Sequence, residues 1–257
     1  MKSKYLPFEI LYEDRDLIVI DKPAGLLTTN TRLVGRAARE AQPTAENFLN
    51  AYVRKGQLRS SKRVYLVHRL DRETSGVMMF VKDERLADAI RDRWNELTEK
   101  TYVATVEGAL DADEGVFESY LQEDADGYRV RSVAKGGKLA RTEWRKISMR
   151  RDKSVSPPVG AEDFSLRRDK SVSPPNEGAP QRGRGTLASP QQKTTTVEVA
   201  LKSGRKNQIR VHFSEAGHPV VGDVKYGAKK ADRLYLRSVK LVFTHPFTGK
   251  RLEFAAP

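Results

Sequence analysis

Short apolar runs separated by polar turns predict a series of strands in the first part of the chain. The runs at 8–12 and 17–20 flank the polar stretch EDRD, a pattern typical of a β-hairpin. Residues 64–67 and 77–81 predict two strands on either side of a polar loop. Residues 100–107 alternate between two sets of side chains, with the period of two that marks a strand.

Helical spacing of apolar residues predicts three helices. Thr44 and Asp83 can each cap a segment with one apolar face, and the second face extends to Leu97. Asn207 can cap a third, short helix that ends at Gly217. The remaining strands are predicted at 139–147, 194–201, 234–243 and 251–254. Many strands with few helices predict an α+β fold, with a mixed, mainly antiparallel central sheet flanked by helices.

Residues 150–190 differ from the rest of the chain. They are rich in Pro, Gly and Ser, and the string RRDKSVSPP occurs twice, from Arg150 and from Arg167. Such a segment buries too little apolar surface to offset its ordering entropy, so we expect a disordered insertion. The alternative is a basic arm that tethers RNA. The predicted single domain is then 1–149 together with 191–257, and the strands that flank the insertion could pair.

Composition narrows the class of partner. The 257 residues include 47 Lys and Arg against 34 Asp and Glu, a net charge of +13, and the insertion accounts for only +3 of it. A basic folded domain favours a polyanionic partner such as nucleic acid. Cysteine is absent, which excludes disulfides, thiolate metal sites and a cysteine nucleophile. No apolar run could span a membrane and no secretory signal is present, so we expect a cytoplasmic protein.

Three polar clusters could carry chemistry. The first, HRLDRETSG, places the carboxylate of Asp71 between Arg69 and Arg72, where cations would keep it ionised. The second, LKSGRKNQIRVH, is a basic turn with Arg205 that leads into a helix start suited to phosphate. The third, GHPVVGDVKYG, offers His218 and Asp223 as metal ligands without a clear third one. Each cluster could instead be a charged surface loop or a structural turn, and we expect His68, His212 and His245 to be structural.

Five segments together resemble the RluA family of RNA pseudouridine synthases. In chain order they are EDRDLIVIDKPAGLL, HRLDRETSGVMMFVKD, KTYVATVEG, LKSGRKNQIRVHFSEAGHPVVGDVKYG and RLYLRSVKLVFTHPFTGKRLEF. The resemblance covers residues 8–149 and 193–257. It implies an isomerase that detaches uracil from its ribose, turns it and reattaches it through carbon, with no cofactor and no metal.

The resemblance assigns roles to individual residues. Asp71 would be the catalytic aspartate, which either attacks the sugar carbon or removes a sugar proton. Tyr102 would lie against the target base and assist proton removal from the new bonding carbon, and Arg210 would pair with Asp71. Ile209 would pack beside the base, and Arg69 would fill the gap left in the RNA stack.

Two features depart from the family pattern or refine it. Asn207 stands where members often carry His, and the predicted first strand starts near Phe8, so we expect no N-terminal RNA-binding module. The catalytic domain, with Arg72 and Arg205 as further RNA contacts, would then recognise a structured stem-loop of rRNA or tRNA. We expect a monomer that needs no protein partner.

Two other functions compete with this interpretation. A catalytically silent RNA-binding protein on the same fold would not require Asp71, Tyr102 and Arg210 together. A hydrolase of the glycosidase type would need a second carboxylate at a fixed separation, for which Glu73 is the nearest candidate.

Overall fold

Eleven strands of the described residues form one sheet, and they include all the predicted ones. The computed structural model describes residues 6–30, 43–55, 57, 59–147 and 193–257. The described strands are β1 (Glu9–Glu13), β2 (Leu17–Lys22), β3 (Tyr65–Leu66), β4 (Ser75–Val81), β5 (Thr98–Glu107), β6 (Glu114–Glu123), β7 (Val130–Val133), β8 (Lys138–Lys146), β9 (Thr194–Leu201), β10 (Leu236–Thr244) and β11 (Arg251–Ala255). The predicted insertion at 150–190 lies outside the described residues and stays a prediction.

The sheet is mixed and mainly antiparallel, which confirms the predicted α+β class. Its strand order is β1-β2-β4-β10-β5-β9-β8-β6-β7, with β11 paired to β10 and β3 paired to β4. Among the described strand pairs, only β4 and β10 run parallel. The predicted pairing of the strands that flank the insertion is confirmed, since β8 and β9 are antiparallel with Thr142 opposite Leu201.

Both faces of the sheet are covered by helices. Along β2, Ile18 and Ile20 point into one core and Leu17 and Val19 into the other, as period two requires. The helices are α1 (Ala45–Arg54), α2 (Glu84–Asp92), α3 (Trp94–Leu97) and α4 (Gln208–Glu215), with a 3-10 turn at Val224–Tyr226. α1 and α4 pack in the first core and α2 in the second.

Helix caps are predicted well at two positions and only in part at a third. The side chain of Thr44 accepts a hydrogen bond from the Asn47 amide at 3.0 Å, and that of Asp83 from the Leu86 amide at 2.9 Å. The helix predicted to run on to Leu97 breaks at Arg93, so α2 and α3 are separate. Asn207 is the residue before the third helix, as predicted, but it has φ 53° and its side chain makes no capping bond.

One close approach brings two central strands together beside the first polar cluster. Gly76 in β4 has φ +112°, and a Cβ built there would lie 2.0 Å from the carbonyl oxygen of Ser238 in β10. Only glycine fits both the backbone conformation and the space. The strand that leaves the Asp71 loop is thereby placed directly against β10.

Candidate active site

Asp71 lies in the loop between β3 and β4, and its backbone is held on both sides. The Thr28 hydroxyl donates to the carbonyl of Leu70 at 2.8 Å, and the Thr74 amide donates to the carbonyl of Asp71 at 3.1 Å. The Asp71 side chain remains 21% exposed. The loop is therefore fixed while its carboxylate can still reach a substrate.

Lys22 ties this loop to the turn after β2. It is fully buried, and its ammonium donates to the carbonyls of Pro23 at 2.9 Å, Leu26 at 2.8 Å and Arg72 at 3.1 Å. Burial lowers its pKa to about 8, while the negative charges of Glu73 and Asp71 act in the opposite direction. Because one ammonium donates to carbonyls in both loops, it holds the two loops together. In the sequence, Lys22 appears only as one residue of the first resembling segment, with no role assigned to it.

Arg210, on α4, links Asp71 to a second carboxylate. Its Nε and Nη2 donate to the two oxygens of Asp223 at 2.6 and 2.7 Å, and its Nη1 lies 3.5 Å from Oδ2 of Asp71. The Asp223 side chain is completely buried. Arg210 and Asp223 thus form the close ion pair. The predicted partner, Asp71, makes only the longer contact, with Nη1.

Asn207 supports the same guanidinium. Its Oδ1 accepts from Nη1 of Arg210 at 3.2 Å, and its Nδ2 donates to the Tyr226 hydroxyl at 2.9 Å. The Tyr226 ring lies under Arg210, with 5.1 Å from Cζ to the ring centroid. The left-handed backbone of Asn207, a conformation that asparagine tolerates better than most residues, turns its amide toward the site and away from the helix end.

The surroundings of Arg210 keep it charged. Burial acts to lower the pKa of the guanidinium, but the hydrogen bonds and charge of Asp223, with a contribution from Asp71, raise it above its usual value. A permanent cation therefore faces Asp71, whatever the pH of the cell.

Tyr102 lies on the cleft-facing side of β5. It is 9% exposed and belongs to the same core as Ile209. Burial first, and then the negative charge of Asp71, raise the pKa of its hydroxyl well above the usual value, while Ser238 opposes this shift. Tyr102 is therefore a neutral phenol at physiological pH.

These side chains line one cleft of about 210 Å³. It contains six of the seven predicted site residues, namely Asp71, Tyr102, Arg210, Arg69, Ile209 and Arg205. Arg72 is exposed and lies outside it, with its Nε donating to the carbonyl of Gly25 at 3.0 Å. Glu73, the second carboxylate considered for a hydrolase, does not line the cleft either.

The histidines occupy structural positions. His68 accepts at Nε2 from the Met79 amide at 2.9 Å and stacks on Trp94 with 4.4 Å between ring centroids. His212 contacts Ser119 and Thr142, and His245 accepts from the turn that follows it. In the described parts of the chain, no group of three or more metal-binding side chains is present.

Asp223 and Lys22 are the site residues that sequence reasoning missed. In the sequence, Asp223 is considered only as a candidate metal ligand, because its partner Arg210 lies in a different polar cluster. Both residues lie in the same resembling segment, and this shared position could have indicated the pair. Lys22 gives no such signal, because a fully buried lysine bound to carbonyls looks like a surface residue in the sequence.

Comparisons with known proteins agree on one family. The profile of a family described as RNA pseudouridylate synthase matches residues 16–215. An uncharacterized RNA pseudouridine synthase of Bacillus subtilis is 29% identical, over 99% of this chain and 70% of that protein. The tRNA pseudouridine synthase C of Vibrio parahaemolyticus is 26% identical over 96% and 89%, and the ribosomal large subunit pseudouridine synthase D of Vibrio cholerae 29% over 100% and 69%.

Solved structures share the fold. Human RNA pseudouridylate synthase domain containing 1 superposes with a TM-score of 0.64 at 18% identity, covering 100% of this chain and 86% of that one. Human RNA pseudouridylate synthase domain containing 4 gives 0.62 at 20% identity, covering 96% and 87%. None of the helices in the described ranges has the length and apolar character needed to cross a membrane.

Proposed function

The chain belongs to the RNA pseudouridylate synthase family, in its RluA branch, and from this membership we propose that it isomerises specific uridines of rRNA or tRNA, with Asp71 as the catalytic residue. It is an RNA pseudouridine synthase, and therefore an isomerase. The proposed class of RNA is the one on which its relatives act, which include tRNA and ribosomal large subunit pseudouridine synthases.

One observation carries the assignment of Asp71. Its carboxylate reaches the cleft, 3.5 Å from a guanidinium that is itself fixed by a buried bidentate pair with Asp223. A cation placed in this way attracts and orients the carboxylate, which both candidate roles need to have aimed into the cleft. In one role Asp71 attacks the sugar carbon, and in the other it removes a sugar proton.

The other cleft residues divide the remaining work. Tyr102 is a neutral phenol, so we propose that it supplies the surface against which uracil detaches and turns. We also propose that its oxygen takes the proton from the carbon while its own hydroxyl proton passes to water. Ile209 packs beside the base. Arg69, exposed at the cleft edge, fills the gap left by the extruded nucleotide, and stacking on its planar guanidinium replaces part of the lost base stacking.

The substrate proposal extends to the whole chain. Arg205 lines the cleft and Arg72 lies on the outer surface of the catalytic loop, so both are placed to meet RNA phosphates. The proposed substrate is a structured stem-loop, and the proposed active form is a cytoplasmic monomer. The proposed domain comprises residues 1–149 and 191–257, with 150–190 as an insertion.

Mapping of pseudouridines in total RNA tests the function. Cells that lack the gene should lose one or a few sites, and wild-type protein should restore them. The Asp71→Asn variant should restore none, although it keeps fold and RNA binding. If no site changes on deletion, or if Asp71→Asn restores every site, the proposed function or the proposed catalyst is wrong.

A further inference from the structure

An exposed tyrosine lies in a loop beside the cleft and has no role in the chemistry above. Tyr128 is 61% exposed and lies in the loop between β6 and β7. This loop begins just after Glu123, which lines the cleft. A single exposed aromatic residue is ordinary on a protein surface, so its meaning depends on how it is held and on what surrounds it.

The loop that carries Tyr128 is fastened to the catalytic elements. Lys206 donates to the carbonyl of Gly127 at 2.6 Å, and Lys225 donates to the carbonyl of Tyr128. The Val130 amide donates to the Tyr226 hydroxyl at 3.0 Å. Bonds on both sides of Tyr128 fix its position relative to the cleft, which lowers the entropy cost of using its ring as a binding surface.

Alternating cations and rings connect Tyr128 to the catalytic centre. Lys225 Nζ lies 4.4 Å from the ring centroid of Tyr128 and 5.6 Å from that of Tyr226, and the Tyr226 ring lies under Arg210. Arg210 in turn faces Asp71. We call this set, Arg210, Tyr226, Lys225 and Tyr128, the aromatic–cation ladder. The outermost ring, that of Tyr128, stays accessible to solvent because Lys225 covers only part of it.

The outer cation of the ladder, Lys225, also lacks a carboxylate partner among the described residues. Neither Lys225 nor the cleft residue Arg205 forms an ion pair within the described ranges. Burial, and then the charges of Arg210 and Lys206, lower the pKa of Lys225, whereas Asp71 and Asp223 act to raise it. An anionic ligand beside Lys225 would relieve this repulsion.

We propose that Tyr128 is a stacking platform for an unpaired nucleobase next to the target uridine, and that Lys225 contacts the adjoining phosphate. The inference rests on the proposed function, since it assumes an RNA in the cleft. A flat ring with one open face accepts any base, so the platform would raise affinity without reading sequence. The Lys225 cation over the other face adds attraction for the backbone that enters with the base.

Fluorescence quenching can test the platform directly. The probe is a short, uridine-rich single-stranded RNA that carries one 2-aminopurine, whose emission falls when it stacks on an aromatic ring. Wild type and Tyr128→Phe should bind and quench alike. Tyr128→Leu should bind about 5- to 100-fold more weakly and lose most of the quenching.

The matched control is Phe247→Leu. Phe247 is 66% exposed, but it lies in the turn at the far end of β10, whose first residue, Leu236, lines the cleft. This control should bind like wild type, and thermal melting should show every variant folded. The platform is refuted if Tyr128→Leu binds and quenches like wild type, or if Phe247→Leu loses as much affinity.

The two proposals fail in distinguishable ways. Asp71→Asn should quench the probe like wild type while losing turnover. Persistent turnover in Asp71→Asn would reject the catalytic assignment and leave the quenching result valid. Normal quenching by Tyr128→Leu together with an inactive Asp71→Asn would reject the platform alone.

Discussion

Arg210 shows how one side chain can hold the structure together and, in the proposed mechanism, orient the catalytic residue. Two of its nitrogens are occupied by Asp223 and its third faces Asp71 and Asn207, so its orientation is settled before any RNA binds. Fixed charges that need no reorganisation are the most effective way to stabilise a reacting group. The weaker contact to Asp71 leaves that carboxylate free to act.

Asp223→Asn tests this arrangement. Removing one partner from a buried bidentate pair leaves Arg210 uncompensated, so we expect unfolding to become easier by about 3–5 kcal/mol and turnover to fall strongly. Chemical denaturation gives the first quantity and an isomerisation assay the second. Asp88→Asn, which removes a partner from the exposed pair with Arg91, is the control and should cost less than about 1 kcal/mol. Equal losses in the two variants would contradict the account.

His68 predicts a pH dependence of stability. Burial, and then the charge of Lys100, lower its pKa to about 3, whereas an unfolded histidine titrates near 6.5. Below pH 6.5 this histidine binds a proton in the unfolded chain but not in the folded protein. The free energy of unfolding therefore falls as the pH falls toward 3. Between pH 7 and pH 5 this residue should contribute a loss of about 2 kcal/mol.

His68→Gln separates this contribution from the rest. Glutamine can still accept a hydrogen bond from the Met79 amide but does not titrate. The stability lost between pH 7 and pH 5 should therefore be smaller in this variant, by about the contribution given above for His68. Urea unfolding at the two pH values measures it. An unchanged loss of stability in His68→Gln would refute this explanation.

At the scale of elements, alternation and apolar density explain which strands could be predicted. β2, β4, β5 and β9 bury at least one face, and their patterns show it. β6 and β7 escaped sequence analysis because β6 alternates charged and half-exposed side chains, with Val116 and Tyr120 on the surface. The break after α2 also gives no signal, because the apolar spacing continues across Arg93 to Leu97.

The site divides in the same way. Local motifs place Asp71, Tyr102 and Arg210 on a loop, a strand and a helix, and the family resemblance brings them together. The contacts that fix them, such as Lys22 with the carbonyl of Arg72, join positions about fifty residues apart and need the folded chain. Residue types can be read from sequence, whereas the partners of a buried charge cannot.

Gly76→Ala tests the approach of β4 to β10. A methyl group there would lie 2.0 Å from the Ser238 carbonyl oxygen, so the two strands would have to separate. We expect the free energy of unfolding to fall by about 4 kcal/mol or more. Gly249→Ala is the control, because its φ is also positive but no atom lies within 4 Å, and it should cost about 1–2 kcal/mol. The comparison fails if both variants lose the same amount.

At the scale of the whole molecule, positive charge and one compact catalytic unit suffice for the proposed function. The net charge of +13 provides attraction to RNA independent of sequence, and the cleft provides the chemistry. Residues 150–190 contribute little to that charge and, by composition, little to the core. We therefore propose that the activity resides in residues 1–149 and 191–257.

Removal of residues 152–188 tests that assignment. The melting temperature should change by less than about 3 °C, because a segment that packs on nothing adds under about 1 kcal/mol. Deletion of the second repeat alone, residues 167–175, should have no larger effect. A large fall in melting temperature would show that the segment packs on the catalytic unit.

The central claim is that this protein isomerises uridine through Asp71, and release of tritium tests it most directly. Isomerisation replaces the bond to nitrogen by a bond to C5 and so expels the hydrogen that C5 carried. RNA from cells that lack the gene, labelled with tritium at C5 of uridine, should release tritium to water with wild-type protein and none above background with Asp71→Asn. Release by Asp71→Asn at the wild-type rate would contradict the account.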